Sequence, residues 1–286
     1  MTEREILLSG HAISRTFGKG KDQQTALDRV DVEVEPGECL ALIGGSGSGK
    51  STLTRILLGL DKPTSGTVSF EGKPVEGRKS AGYQALRRES SLIFQSPFSS
   101  LDPRWTVAKS VAEPLKIQRK IRTDSANNVN SANNVNSANN VNSANNVNND
   151  GADIDVKVRE SLTLVGLDPN EFLNRYPVDL SGGQAQRVAI ARALVTDPKL
   201  IVADEPMSAI DVAARLQILE AFAAIRKSRP ETAVVMISHD LGVVQHIADR
   251  IVVLHNGKVV ESGATDDVLN CPKADYTREL VTAASL

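Results

Sequence analysis

Cys39-Leu40-Ala41-Leu42-Ile43 runs into Gly44-Gly45-Ser46-Gly47-Ser48-Gly49-Lys50-Ser51, and this junction decides the fold. The apolar pentapeptide predicts a buried strand. Beyond the loop, Thr52-Leu53-Thr54-Arg55-Ile56-Leu57-Leu58-Gly59-Leu60 places Leu53, Ile56, Leu57 and Leu60 at helical spacing. Glycines permit positive φ and let an anion approach the backbone, so successive N–H groups can point inward at it. The helix start adds the positive end of its dipole. Lys50 is expected to reach the β- and γ-phosphates of a nucleotide, and the Ser51 hydroxyl to ligate Mg²⁺. A chance Gly/Ser turn matches the same spelling, but without a strand before it and an amphipathic helix after it.

Upstream, short apolar runs alternate with turn signals. Val30-Asp31-Val32-Glu33-Val34, before Pro36-Gly37, has the alternation of a half-buried strand, so an antiparallel layer is expected ahead of the loop. Phe17, in Arg15-Thr16-Phe17-Gly18, reads equally as a stacking platform for a base or as an ordinary core aromatic. Downstream, Thr67-Val68-Ser69-Phe70, Glu71-Gly72 and Val75 predict a further hairpin on that layer.

The pattern then shifts. Ser91-Leu92-Ile93-Phe94-Gln95 predicts a short strand ending in an amide, followed by the proline-punctuated stretch 96–104. Residues 106–121 are expected to be helical but broken at Pro114, and Val156 to Val165 to form a helix with Val158, Leu162 and Val165 near one face. Together they predict a mainly helical insert. Between them Ser-Ala-Asn-Asn-Val-Asn is repeated four times, from Ser125 to Asn148. Asparagine is a poor helix former and the period of six fits no heptad, so a disordered exposed loop is favoured over a β-solenoid.

Leu180-Ser181-Gly182-Gly183-Gln184 precedes Ala185-Gln186-Arg187-Val188-Ala189-Ile190-Ala191-Arg192-Ala193-Leu194. Ser181 can cap the helix, and Gly182 and Gly183 let a ligand approach its first amides, a second anion-binding helix start. Lys199 to Ala203 is an apolar strand ending in Asp204 and Glu205, where a magnesium ligand and a general base belong at the carboxyl end of a parallel sheet. Alternation along a strand sends these two side chains to opposite sides. Thr232 to Ser238 is another apolar strand, delivering His239 to the same edge. Arg250 to Glu261 predicts a scaffold hairpin turned at Asn256-Gly257, with φ positive at both turn positions. His11, His246 and His255 read as exposed structural residues.

A chain of 286 residues suits one large α/β domain or two small ones, and a net charge of −2 gives no electrostatic footprint for nucleic acid. Cys39 and Cys271 fit neither a disulfide framework nor a metal site, and Cys39 is expected to be buried. No apolar run approaches the length needed to cross a bilayer, and Met-Thr-Glu-Arg-Glu is no signal peptide. A cytosolic protein is expected, with any membrane role coming through partners.

In this combination the chain resembles the nucleotide-binding subunit of ATP-binding cassette (ABC) transporters. The matches are the phosphate loop at 44–51, a Q-loop glutamine at Gln95, the LSGGQ signature at 180–184, the acidic strand end at 204–205, a D-loop at Ser208-Ala209-Ile210-Asp211 and a switch histidine at His239. The resemblance implies an α/β fold: a P-loop NTPase (RecA-like) core with an antiparallel β layer and an inserted helical subdomain. It gives a cassette over 1–270, with the helical subdomain at about 96–180 and the Asn-rich repeat at 125–149, then a short tail at 271–286. It implies ATP and Mg²⁺ as cofactors. Gly44, Gly45, Ser46, Gly47, Ser48, Gly49, Lys50, Ser51 and Thr52 would hold the nucleotide with Phe17, and Ser181, Gly182, Gly183, Gln184 and Asp211 would complete the site. Ser51, Gln95 and Asp204 would hold the metal, and Glu205, His239 and Gln95 would carry catalysis, with Glu205 as the base.

Residues 94–104, Ala112-Glu113-Pro114-Leu115 and Asp275-Tyr276-Thr277-Arg278-Glu279-Leu280 resemble the dipeptide, oligopeptide and nickel importers of that family. The Asn-rich insert is foreign to it, and Met207 and Ile210 stand where Thr and Leu are usual. The resemblance implies a head-to-tail pair with a second cassette, identical or paralogous. It also implies transmembrane permease subunits, a solute-binding protein reached through them, and a place on the cytoplasmic face of the plasma membrane. An exporter cassette and a soluble non-transport ABC ATPase are the alternatives. A P-loop kinase has no reason to carry the signature or His239.

Overall fold

The computed structural model describes residues 5–18, 20–132, 143–208 and 210–284, with side chains outside 21, 121–132 and 143–150. Met1–Gln95, Pro198–Ala209 and Phe222–Leu286 form a first unit, and Ser96–Asp197 and Ile210–Ala221 a second. The helical unit therefore extends beyond residue 180, to Asp197, and takes in a segment after the acidic strand.

The first unit opens with β1 (Leu8–Phe17), β2 (Gln24–Val34), β3 (Cys39–Ile43), α1 (Lys50–Leu57), β4 (Ser65–Phe70), β5 (Lys73–Pro74), α2 (Ala81–Glu89) and β6 (Ser90–Ile93). The second holds α3 (Pro97–Ser100), α4 (Val107–Ala132), α5 (Ser143–Leu164), α6 (Pro169–Phe172) and α7 (Gly182–Leu194). The chain continues through β7 (Leu200–Asp204), α8 (Val212–Ser228), β8 (Ala233–Ile237), α9 (Leu241–Ile247), β9 (Arg250–His255), β10 (Lys258–Ala264), α10 (Thr265–Asn270) and α11 (Asp275–Ala284).

Two sheets build the first unit. β2-β1-β4-β5 is antiparallel throughout, the expected layer with its hairpin. β10-β9-β3-β8-β7-β6 is parallel except for the edge strand β10. All of β3 is buried, as an apolar run covered on both faces must be. Leu40 and Leu42 join Leu53, Ile56 and Leu57 of α1 and the inner face of the antiparallel layer in one cluster, whereas Ala41 and Ile43 face Val244, Ile251, Val253 and Val268. Each fully buried Leu or Ile contributes about 1.5–3 kcal/mol to holding α1 in place. Register then sets the site: Leu42 pairs with Ile237, Ile237 with Asp204, and Ala203 with Ile93. Four strands thus end together, and the residues after them share one sheet edge.

Several expectations are corrected. α1 stops at Leu57, not Leu60: Gly59 takes φ +65 with the Tyr83 ring where a Cβ would sit, and Leu60 is exposed. Pro114 does not break its helix; α4 runs through it because Val107, Val111, Ala112 and Leu115 are buried on both sides of it. Packing here outweighs one missing backbone bond. The Asn-rich repeat is not a loop where it is described, since α4 carries its start to Ala132 and α5 its end from Ser143; residues 133–142 lie outside the described residues. Propensity is a weak prior against two helices, each already nucleated on its own flank of the repeat. Val158, Leu162 and Val165 are buried as expected. His255 is half-buried, its ring 3.8 Å from that of Tyr276. The stretch 271–286, expected as a tail, carries α11, whose Tyr276, Leu280 and Val281 pack on the cluster around Ile43.

Candidate functional site

The loop after β3 is pinned from behind and open in front. A Cβ on Gly44 would meet the Leu254 carbonyl oxygen at 2.2 Å, and one on Gly49 the Ala26 oxygen at 2.7 Å, so both need glycine for close packing as well as for positive φ. Ser46, Gly47 and Ser51 are exposed, while Ser48 and Lys50 are buried. Lys50 Nζ donates to the carbonyls of Gly44 and Gly45 at 2.7 and 2.8 Å. Burial pulls this ammonium below its ordinary pKa, against the opposing pull of Glu205 and Asp204. The cation therefore lies in the field of the acidic strand end. At α1 the N-cap is Gly49 in a left-handed conformation, with no side chain bonded to the first amides. These are the features of an anion cradle.

Three strand ends converge on one carboxylate. β7 closes at Asp204, and Glu205 leaves it with φ +45 while its N–H donates to the Ile237 carbonyl at 2.9 Å. Gln95, just past β6, donates from Nε2 to Glu205 Oε2 at 3.0 Å. His239, just past β8, places Nδ1 3.2 Å from Glu205 Oε1. Asp204 is instead raised, first by its own burial and then by Glu205, with Lys50 opposing. The two adjacent acids thus have different surroundings: Glu205 meets an amide and an imidazole, Asp204 the charges of Lys50 and Glu205.

Phe17, at the end of β1, is 43% exposed with the Arg15 guanidinium 4.7 Å from its ring centre, so it is no core aromatic. In the second unit Ser181 caps α7: its Oγ accepts from the Gln184 amide at 3.2 Å, and Gln184 Oε1 accepts from the Ser181 amide at 3.0 Å. Gly182 faces open space, but a Cβ on Gly183 would come within 2.5 Å of Ala214 Cβ. The second glycine of the pair is required by packing against α8, not only by the approach of a ligand. Asp211 caps α8 by accepting from the Ala214 amide at 2.9 Å.

Two contacts on the phosphate loop come from stretches read as scaffold and tail. Gly257, in the β9–β10 turn where Asn256 and Gly257 both have positive φ as expected, donates to the Ser48 carbonyl at 3.0 Å. Tyr276 of α11 accepts from the Gly45 amide at 2.8 Å. No spacing rule links residues so distant in sequence.

A glycine cradle with its lysine, beside an acid-ended parallel strand whose carboxylate meets a glutamine and a histidine, defines a P-loop nucleotide hydrolase. The capped Leu-Ser-Gly-Gly-Gln helix narrows that class. The family described as ABC transporter matches residues 27–208, and the chain belongs to it as an ABC-type ATPase. The oligopeptide transport ATP-binding protein OppF of Lactococcus lactis subsp. lactis (strain IL1403) is 38% identical over 267 residues, 93% of this chain and 74% of the relative. The di/tripeptide transport ATP-binding protein DppF of Pseudomonas aeruginosa (strain UCBPP-PA14) is 37% identical over 283 residues, 99% of this chain and 78% of the relative. Among solved structures, the dimeric post-hydrolysis state of the ATP-binding cassette MJ0796 bound to ADP and Pi superposes with a TM-score of 0.69 at 27% identity, covering 91% of this chain and 99% of that one.

Proposed function

We propose that this chain is the ATP-hydrolysing subunit of an importer for di- or oligopeptides. The observation that carries the reaction is the Glu205 carboxylate held between Gln95 and His239 within the field of Lys50. The loop amides and Lys50 would hold the β- and γ-phosphates, Phe17 would lie under the base, and Glu205 would take the proton of the attacking water. Gln95 would orient that water and His239 would contact the γ-phosphate. The Ser51 hydroxyl, the Asp204 carboxylate and the Gln95 amide oxygen would hold Mg²⁺, a cation that prefers hard oxygen donors of this kind. When bound, the ion neutralises phosphate charge as it develops.

The capping box at Ser181–Gln184, the amides of Gly182 and Gly183, and Asp211 would serve a second cassette's nucleotide. Two copies, or this chain and a paralogue, would then close head to tail on two ATP molecules. Opening after hydrolysis would move permease subunits docked on the helical unit, at the cytoplasmic face of the plasma membrane. A solute-binding protein would deliver cargo to the other side. Among the described residues no helix is long and apolar enough to cross a membrane, so the translocation path would belong to those partners. The cargo class rests on the relatives named for oligopeptide and di/tripeptide transport.

The test is capture of the Glu205→Gln protein with ATP from its native membranes, followed by mass spectrometry. Multi-span permease subunits and a solute-binding protein are expected, and titration of that binding protein should give peptide binding and no nickel binding. Nickel binding without peptide binding would move the cargo to the metal. Recovery of soluble partners alone would overturn the transport reading.

A further inference from the structure

The segment Asp275-Tyr276-Thr277-Arg278-Glu279-Leu280 has no part in the reaction outlined above, yet it reaches the phosphate loop. The Gly45 N–H donates to the Tyr276 hydroxyl at 2.8 Å, and a Cβ on Gly45 would lie only 3.0 Å from that oxygen. The Gly45 N–H and the Gly44 carbonyl belong to one peptide unit. That carbonyl accepts from Lys50 Nζ at 2.7 Å, so one rigid plane is bonded by Tyr276 on one side and by the phosphate-binding lysine on the other.

The ring is itself held. His255 lies against it at 3.8 Å between centroids, and Leu280 and Val281 join it on the cluster around Ile43 and Ile251. The entry to α11 is fastened by Glu261, whose Oε1 and Oε2 accept from the amides of Lys273 and Ala274 at 2.9 and 3.0 Å. A chain of contacts therefore runs from Glu261 through α11 and Tyr276 to the Gly44–Gly45 peptide and Lys50.

We propose that Tyr276 is a positioning residue for the nucleotide, fixing the peptide that anchors Lys50. The role rests on residues 44–51 binding ATP. Without the hydroxyl, the peptide keeps only its bond from Lys50 and loses the one that fixes its other side, so the orientation of one Lys50 acceptor is less constrained. ATP is then bound by a less ordered cradle, while Glu205, Gln95 and His239 are untouched.

The experiment compares Tyr276→Phe with the wild type in the full chain, reading melting temperature, MgATP binding, KM and kcat. The ring packing is kept and the melting temperature is expected to stay within about 2 °C of wild type, about the shift that the loss of 1 kcal/mol gives in a chain of this length. KM and the ATP dissociation constant should rise about three- to tenfold, the range of one neutral hydrogen bond, with kcat within about twofold. An unchanged KM in a folded Tyr276→Phe protein overturns the proposal. So does an equal fall in kcat with no change in KM. If that variant does not fold, Glu261→Gln takes its place, with hydrogen exchange read on the peptide spanning 40–53. Faster exchange together with a raised KM supports the linkage, and no change in either overturns it. Lys50→Ala separates the two levels: ATP binding retained there sinks the phosphate-loop reading itself, whereas its loss beside an unchanged Tyr276→Phe sinks Tyr276 alone.

Discussion

Replacing the Glu205 carboxylate by an amide is the sharpest test of the site, because it changes the chemistry and nearly preserves the shape. Glu205 Oε2 accepts from Gln95 at 3.0 Å and Oε1 lies 3.2 Å from His239 Nδ1. In Glu205→Gln the remaining oxygen still accepts from Gln95, and the new NH₂ can donate to a neutral imidazole nitrogen. The loop and Lys50 are not touched, so ATP binding is expected to survive within about threefold. What disappears is the ability to take a proton. A positioned general base is worth about 10²–10⁴ in rate, a barrier increase of about 2.7–5.4 kcal/mol. Steady-state phosphate release should therefore fall by that factor. Light scattering behind a sizing column should show the variant accumulating as an ATP-bound dimer, where the wild type turns over and separates. Turnover within tenfold of wild type would refute Glu205 as the base. A loss of ATP binding equal to the loss of rate would instead assign its carboxylate to holding the nucleotide.

Four further outcomes are expected. Cys39 is fully buried and its thiol is pushed up to about 12, chiefly by that burial, while Cys271 is exposed; a thiol-specific chromogenic reagent at pH 8 should label one cysteine in the folded protein and both after denaturation. Gly183→Ala should cost about 1–3 kcal/mol in urea unfolding, because its Cβ would meet Ala214 at 2.5 Å, and Gly182→Ala, facing open space, should cost less. Pro114→Ala restores a donor to the Ser110 carbonyl in mid-α4 and should stabilise by about 1–3 kcal/mol, read as a rise in the urea midpoint. Burial pushes the Glu261 carboxyl up, but the Lys273 amide, the Thr277 side chain, the Ala274 amide and the Lys273 charge together outweigh it and hold it below its ordinary value. Its fastening of α11 is thus present above that ordinary value and lost as pH falls through the folded one; wild type and Glu261→Gln should differ in melting temperature at neutral pH and draw together as the pH is lowered past the folded value.

The place of the candidate site was legible in the sequence wherever a hydrophobic run stops. Four such runs deliver Gly44, Gln95, Asp204 and His239, and parallel register alone brings their ends to one edge. The same local logic failed where a distant element decides. Hydrophobic spacing carried α1 on to Leu60, although Gly59 turns the chain beside Tyr83. Pro114 and the asparagines argued against helix, and the packing of Val107, Val111, Leu115 and Leu162 prevailed. Local rules weigh one residue's preference, whereas a helix anchored along part of its length pools the burial of many.

The glycines make the same distinction inside the site. Gly182 and Gly183 are adjacent, and their spelling suggests one common purpose, room for an anion at the start of α7. Their surroundings separate them, since a side chain at Gly182 would enter open space and one at Gly183 would strike Ala214. The signature therefore carries two different surroundings in successive residues, open space at Gly182 and close packing against α8 at Gly183. Gly44 and Gly45 differ from that pair in the other unit, since a Cβ on the first would strike the Leu254 carbonyl and one on the second would lie 3.0 Å from the Tyr276 hydroxyl. In each loop one glycine packs tightly against a neighbouring element, Gly44 against the Leu254 carbonyl and Gly183 against Ala214. Substitutions at Gly183 are accordingly expected to lower stability and ATPase together, while substitutions at Gly182 lower ATPase alone. Unfolding midpoints and turnover measured on the same preparations decide it, and equal loss of stability at the two positions would contradict the division.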